Sequence, residues 1–204
     1  MSIEDKNVKD VYNHIAKEFD STRYRPWSCV EEFLDNVPEQ SVIGDIGCGN
    51  GKNMYRNDCV FIGGDLCQNF LNITQNKQHQ LICFNIKSIP FRTNTFDYVI
   101  SIAVIHHIYN KSERLNTIKE LIRITKPNGK IFISVWGVHK NYKHGDNFIK
   151  WTLQKKYCKD KQEKTYQRYY YLYSEDELLT DTKSLNLNIQ IEKHYTNHNN
   201  RFII

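Results

Sequence analysis

Three glycines spaced two apart, Gly47, Gly49 and Gly51, follow directly on the short apolar run Ser41-Val42-Ile43-Gly44-Asp45-Ile46. Such a run reads as a buried strand, and glycines at its end remove Cβ atoms where backbone amides must come close to a ligand. Open α/β sheets build their ligand cradles in this way, at the carboxyl ends of strands. A dinucleotide fingerprint, G-x-G-x-x-G, needs its third glycine at position 52, where the chain has Lys52. Asp45, two residues before the first glycine, would repel a pyrophosphate but can accept bonds from an ammonium. Val60 to Leu66 reads as a second strand, and its acid Asp65 is placed to accept bonds from two ribose hydroxyls. Loop and acid together point to a nucleoside that carries an amino acid.

The rest of the chain alternates in the same sense. Helical stripes run over Val8 to Phe19 and Ser28 to Leu34, and helical connections over Cys67 to Gln75 and Lys111 to Thr125. Strands are predicted at His79 to Phe84, Tyr98 to Ile102 and, after a Lys126-Pro127-Asn128-Gly129 turn, Lys130 to Trp136. A helix over Ser174 to Lys183, opened by a Ser174/Glu177 capping box, precedes two strands at Leu187 to Lys193 and Arg201 to Ile204. Strands separated by helices imply right-handed crossovers, hence a three-layer α/β/α fold with a mostly parallel sheet. With 204 residues, 40% of them hydrophobic, one domain is expected. Its parts are N-terminal helices (1–36), a core (41–137), a basic aromatic insertion (138–171) and a C-terminal helix with strands (172–204).

Charge is concentrated in that insertion. Between His139 and Tyr171, nine basic residues, among them Lys155, Lys156 and Arg168, face three acidic ones and are interleaved with Tyr142, Phe148, Trp151, Tyr157 and Tyr166 to Tyr171. Lysines mixed with aromatics suit a surface that follows phosphates and stacks bases, and equally a solvated loop in a lysine-rich chain. Linkers of this composition often fold on binding, so the sequence leaves open whether the segment is ordered before RNA arrives. The longest apolar stretch, around Ser101, is too short to span a bilayer, and the N-terminus is polar. The six cysteines form no C-x-x-C pair, so reduced thiols, a cytosolic or nuclear setting and no metal site are expected.

The string D-x-G-x-G-x-G, the acid after strand two and the polar Asn85 after strand three resemble the class I S-adenosylmethionine-dependent methyltransferases. The resemblance implies a Rossmann-like sheet, mostly parallel with an antiparallel last strand, in which Gly47, Gly49 and Gly51 pass under the methionine part, Asp65 holds the ribose and Asn85 or its neighbour meets the adenine amino group. Asp45, Tyr12, Asn50 and Ala103 complete the cofactor set it implies. Further strings narrow the likeness: Val11-Tyr12-Asn13-His14-Ile15-Ala16, Thr22-Arg23-Tyr24-Arg25-Pro26-Trp27, Ser101-Ile102-Ala103-Val104-Ile105-His106-His107, Asp146 to Trp151 and Arg168-Tyr169-Tyr170-Tyr171-Leu172-Tyr173. These are similar to the tRNA methyltransferases that esterify 5-carboxymethyluridine at the wobble position. Lys150 stands where that family has proline and Tyr171 where it has histidine, and Asn199-Asn200-Arg201-Phe202 matches its D-N-W closing string only loosely.

The likeness implies catalytic roles for Arg23, His106, His107 and Arg168, and substrate contacts from Arg25, Trp27, Trp151, Tyr169, Lys155 and Lys156. A carboxylate is ionised near neutral pH, so ester formation needs in-line placement and cations to seat the acid, and no strong base. A small zinc-binding adaptor that activates several methyltransferases is implied as partner, pairing with the third strand at a sheet edge. A small-molecule methyltransferase, and an RNA- or adaptor-binding module without catalysis, are the competing expectations.

Overall fold

The computed structural model describes residues 2–75, 79–139, 141–158, 161–197 and 200–204. Two helices, α1 (Asp10–Thr22) and α2 (Ser28–Asp35), precede β1 (Val42–Ile46), β2 (Val60–Asp65), α3 (Gln68–Thr74), β3 (Gln80–Cys83), β4 (Phe96–Ile102), α4 (Lys111–Ile124) and β5 (Thr125–Trp136). The chain continues through β6 (Gly145–Leu153), β7 (Lys164–Leu172), α5 (Glu177–Ser184), β8 (His194–Asn197) and β9 (Asn200–Ile203). A seven-stranded sheet has the order β3-β2-β1-β4-β5-β9-β8. Strands β1 to β5 pair in parallel, while β9 runs antiparallel to both neighbours. The order reverses between β1 and β4, where open sheets bind ligands.

Both sheet faces are covered, as near-continuous apolar strands require. Val30, Phe33 and Leu34 of α2 pack with Ile43, Ile100, Phe132 and Phe202 on one side. On the other, Ile118, Leu121 and Ile124 of α4 and Leu178 of α5 meet Ile46, Val99, Ile133 and Val135. Helix α1 buries Val11, Tyr12, Ile15 and Ala16 against Phe70 of α3 and Leu153 of β6. It begins two residues later than its apolar stripe, after a π-helical turn at Asp5–Lys9.

Three sequence expectations are corrected. The Lys126–Gly129 turn is a bulge inside β5: Phe96 pairs with Thr125 and Tyr98 already with Lys130, and Asn128 takes a φ of 64°. Residues 187–193 form no strand despite their alternation. Strand β8 lies at His194–Asn197 because its register pairs His194 with Ile203, leaving the preceding residues beyond the ladder, with Leu187 and Ile189 exposed. Helix α5 starts at Glu177. The Glu177 carboxylate accepts the Ser174 amide at 3.0 Å, half of the expected capping box, while Tyr173 stays extended by donating its amide to the Trp136 carbonyl.

The basic insertion, whose order the sequence left open, has at its centre a β6–β7 hairpin forming its own two-stranded sheet. Its inner face presents Ile149, Leu153, Tyr170 and Leu172, all buried, while Lys150 points outward. That is a period-two pattern obscured in sequence by its lysines and tyrosines. Lys140, Lys159, Asp160 and Asn199 lie outside the described residues. Among the described residues, no helix is long and apolar enough to cross a membrane, and no three His, Cys, Asp or Glu side chains cluster as metal ligands.

Candidate active site

The glycine loop after β1 folds tightly against β2, with Gly47 and Cys48 donating their amides to the Gly64 carbonyl at 2.7 and 3.0 Å. Gly47 has a φ of +89°, and a Cβ there would lie 2.3 Å from a Val104 methyl. Asp65 is anchored by two backbone amides, from Gly49 at 2.9 Å and Cys67 at 2.7 Å. Asp45 is fully buried; neither carboxylate oxygen makes a well-formed hydrogen bond, though the Asn53 side chain and the Lys52 ammonium stand near enough to favour its charge. Burial, with Asp65 nearby, pushes its carboxyl up to about 7. Ala103, after β4, holds a φ of 61°, a left-handed conformation that a residue with a Cβ rarely adopts.

These elements wall one cleft. Tyr12, Gly47, Gly49, Asn50, Asp65, Asn85 and Ala103 line it, as do Arg23, Trp27, His106, His107 and Arg168. Asp45 and Gly51 stand behind the wall, and Arg25, Trp151, Tyr169, Lys155 and Lys156 are not among the lining residues. Trp151 forms a platform behind the cleft, donating its indole N–H to Glu18 at 2.9 Å. The Arg23 and Arg168 guanidinium carbons lie 5.1 and 4.7 Å from its ring centre. Neither arginine forms an ion pair among the described residues. Tyr169 is fully buried and donates its hydroxyl to Asp146 at 2.6 Å, so it offers no ring face to a base. Arg25, Lys155 and Lys156 are exposed.

The two histidines differ. His106 Nδ1 accepts the Trp136 amide at 3.0 Å, so its proton sits on Nε2, a buried donor with no partner. Burial, with His107 and Arg168 nearby, holds His106 well below the usual histidine range. His107 Nδ1 lies 2.8 Å from the Tyr169 carbonyl, which can only accept, so Nδ1 carries the proton and Nε2 takes the Tyr12 hydroxyl at 3.1 Å. Burial pushes His107 down to about 3 despite its bond to that carbonyl. Both His107 nitrogens are therefore committed within the protein. Tyr170 was not singled out from sequence. It stacks on His106 with ring centres 5.0 Å apart and accepts from Arg168 Nη1 at 2.7 Å. Its alternation with Arg168 and Leu172 on one hairpin face was the available signal.

Cleft and loop fit S-adenosylmethionine. Glycines leave room where a Cβ would intrude, a strand-end acid stands at the ribose position, and a buried carboxylate without a well-formed hydrogen bond matches a cationic amino acid. Residues 44–133 match a family profile described as a methyltransferase domain. A methyltransferase of Clostridium acetobutylicum superposes with a TM-score of 0.67 at 17% identity, covering 95% of this chain and 97% of that one. A second solved structure, the complex of a Haloferax volcanii methyltransferase with the Trm112 activator, gives 0.53 at 18% identity, over 64% of this chain and 61% of the other. Sheet order, glycine loop and strand-end acid define a class I S-adenosylmethionine-dependent methyltransferase.

Among sequence relatives, the Schizosaccharomyces pombe tRNA (carboxymethyluridine(34)-5-O)-methyltransferase is 38% identical over 201 residues, 87% of this chain and 88% of its own length. The mouse enzyme of that description, ALKBH8, is 41% identical over 71% of this chain, which spans 22% of the mouse protein. The chain belongs to the tRNA (carboxymethyluridine(34)-5-O)-methyltransferase family.

Proposed function

We propose that this chain, working as one domain, methylates the carboxylate of 5-carboxymethyluridine at the wobble position of a tRNA, giving the methyl ester. The observation that carries this reading is the pair of guanidiniums, Arg23 and Arg168, sharing the Trp151 ring without a carboxylate partner at the cleft. Two uncompensated cations side by side are a seat for an anion. His106 adds a neutral Nε2–H donor to that seat. S-adenosylmethionine, when bound, supplies a methyl group on a sulfonium. The acid needs no deprotonation, so Arg23, Arg168 and His106 orient it, and His107 holds the wall.

On the cofactor side Asp65 takes the ribose hydroxyls and Asn85 the adenine amino group, with Tyr12, Asn50 and Ala103 completing the enclosure. Trp27, at the mouth, stacks the extruded base, while Arg25, Lys155 and Lys156 meet the anticodon-loop phosphates. Strand β3 is an open sheet edge with Gln80, Ile82 and Cys83 exposed, and there we place the zinc-binding adaptor. The setting is the cytosol or nucleus.

The chain is to be co-expressed with the adaptor and given labelled S-adenosylmethionine and tRNA lacking the ester, followed by nucleoside mass spectrometry. Label is expected in a base-labile methyl ester of carboxymethyluridine. Transfer to a small carboxylic acid but not to tRNA would overturn the reading. Binding of tRNA should weaken with salt, and Lys155→Glu with Lys156→Glu should flatten the log–log slope by about 0.7 for each single-stranded phosphate left without its lysine. An unchanged slope would remove these lysines from the RNA path.

A further inference from the structure

Tyr170 is the point at which the cleft's separate parts meet. Its hydroxyl accepts from Arg168 Nη1 at 2.7 Å and lies 2.9 Å from the Tyr12 hydroxyl. Tyr12 has one proton, already given to His107 Nε2 at 3.1 Å, so Tyr170 donates to Tyr12. His107 passes the sequence on to the Tyr169 carbonyl at 2.8 Å. The path leaves β7 at the Arg168 side chain, crosses α1 at Tyr12 and the turn after β4 at His107, and returns to β7 one residue from its start. An arginine can only donate and a carbonyl can only accept, so every hydrogen bond in the ring has one possible direction.

Burial keeps two members of the ring uncharged beside the Arg168 cation: the Tyr170 phenol is held well above its ordinary range, and His107 is pushed down to about 3. Within this ring one edge of Arg168 is occupied and another is open. Nη1 is committed to Tyr170, whereas Nε is buried with no partner, and the residue lines the cleft. A guanidinium on a flexible stem keeps one orientation only if something fixes it.

We propose that Tyr170 is a positioning residue: its hydroxyl fixes Arg168 so that the unpartnered Nε–H edge faces the substrate carboxylate. The inference rests on the function proposed above and adds a residue to it. Tyr170→Phe keeps the ring and its stack on His106 and deletes the hydroxyl. The expected result is a fall in kcat of about tenfold, with KM for tRNA changed less than about twofold, because the loss is in alignment.

The decisive comparison is a double-mutant cycle with Arg168→Met, which keeps an apolar stem against Trp151 and removes the charge. If Tyr170 acts through Arg168, Tyr170→Phe has no further effect in that background, and the same fold-loss in both backgrounds would overturn the inference. A second readout does not depend on turnover. In the unsubstituted chain the Arg168 η protons should give separate NMR signals from a guanidinium that does not rotate, and these should average in Tyr170→Phe. Signals already averaged in the unsubstituted chain would equally overturn the inference. Absence of ester formation by the unsubstituted chain would instead count against the proposed function and leave the NMR comparison to decide the role of Tyr170.

Discussion

Gly47→Ala is expected to weaken S-adenosylmethionine binding by roughly a hundredfold or more, equivalent to about 2.7 kcal/mol, and to lower stability as well. The backbone at Gly47 has a φ of +89°, which a side-chain-bearing residue adopts at a cost of about 1–2 kcal/mol. The added methyl would also meet Val104 at 2.3 Å, and overpacking of this kind costs about 1–3 kcal/mol more. Relief comes by parting the loop from the turn after β4, and both segments line the cleft. Gly49 is the control, because its φ of +53° carries the conformational cost but a Cβ there meets nothing within 4 Å. Calorimetric titration and thermal melting of both variants separate the two contributions. Val104→Ala in the Gly47→Ala background should recover part of the loss. Equal losses at Gly47 and Gly49 would mean that the approach of Val104 is not what demands the first glycine.

The second large effect is a pH dependence set by Asp45. Its carboxyl moves from the usual 3.8 to about 7 in the fold, with burial the main cause and Asp65 the second. A raised carboxyl favours the folded chain while it is protonated. Without ligand, its contribution is therefore fully present below about pH 4 and is lost as pH rises through about 7, up to about 4 kcal/mol in all. A cationic ligand at the glycine loop favours the ionised form. Affinity for S-adenosylmethionine should accordingly climb between about pH 6 and 8 while the ligand-free melting temperature falls. Asp45→Asn should flatten both curves and lower affinity at the alkaline end. Titrations across this range would remove Asp45 from the ligand's surroundings if the unsubstituted chain bound equally well throughout.

The sheet core was legible because its strands are apolar runs that end in chemistry-bearing residues: Asp45 and the glycines after β1, Asp65 at the end of β2, Ala103 to His107 after β4. Those signals are local, and the fold only had to bring the strand ends together. Less was legible where the partner of a segment lies far along the chain. Leu187 to Ile191 alternates as a strand should, yet the register set by Ile203 leaves it outside the ladder. The hairpin was hidden for a related reason: Ile149, Tyr170 and Leu172 face inward to pack together with Trp136 at the end of β5 and Tyr142, residues far from β7 along the chain. His107 shows the limit most clearly. In sequence it is indistinguishable from His106, and only the Tyr169 carbonyl and the Tyr12 hydroxyl show that its nitrogens are both engaged.

The β6–β7 hairpin carries its own hydrogen-bond ladder, separate from the seven-stranded sheet. No rung of the main sheet runs through the hairpin, whose backbone, among the described residues, is tied to β5 only at its foot, where Tyr173 bonds to Trp136 and Val138. What holds it includes the ring of side-chain bonds through Tyr170, the Trp151–Glu18 bond, and the packing of Leu153 on α1. Arg168 and Tyr170, with their proposed part in seating the carboxylate, are thus also residues by which the hairpin is tied to α1 and the turn after β4.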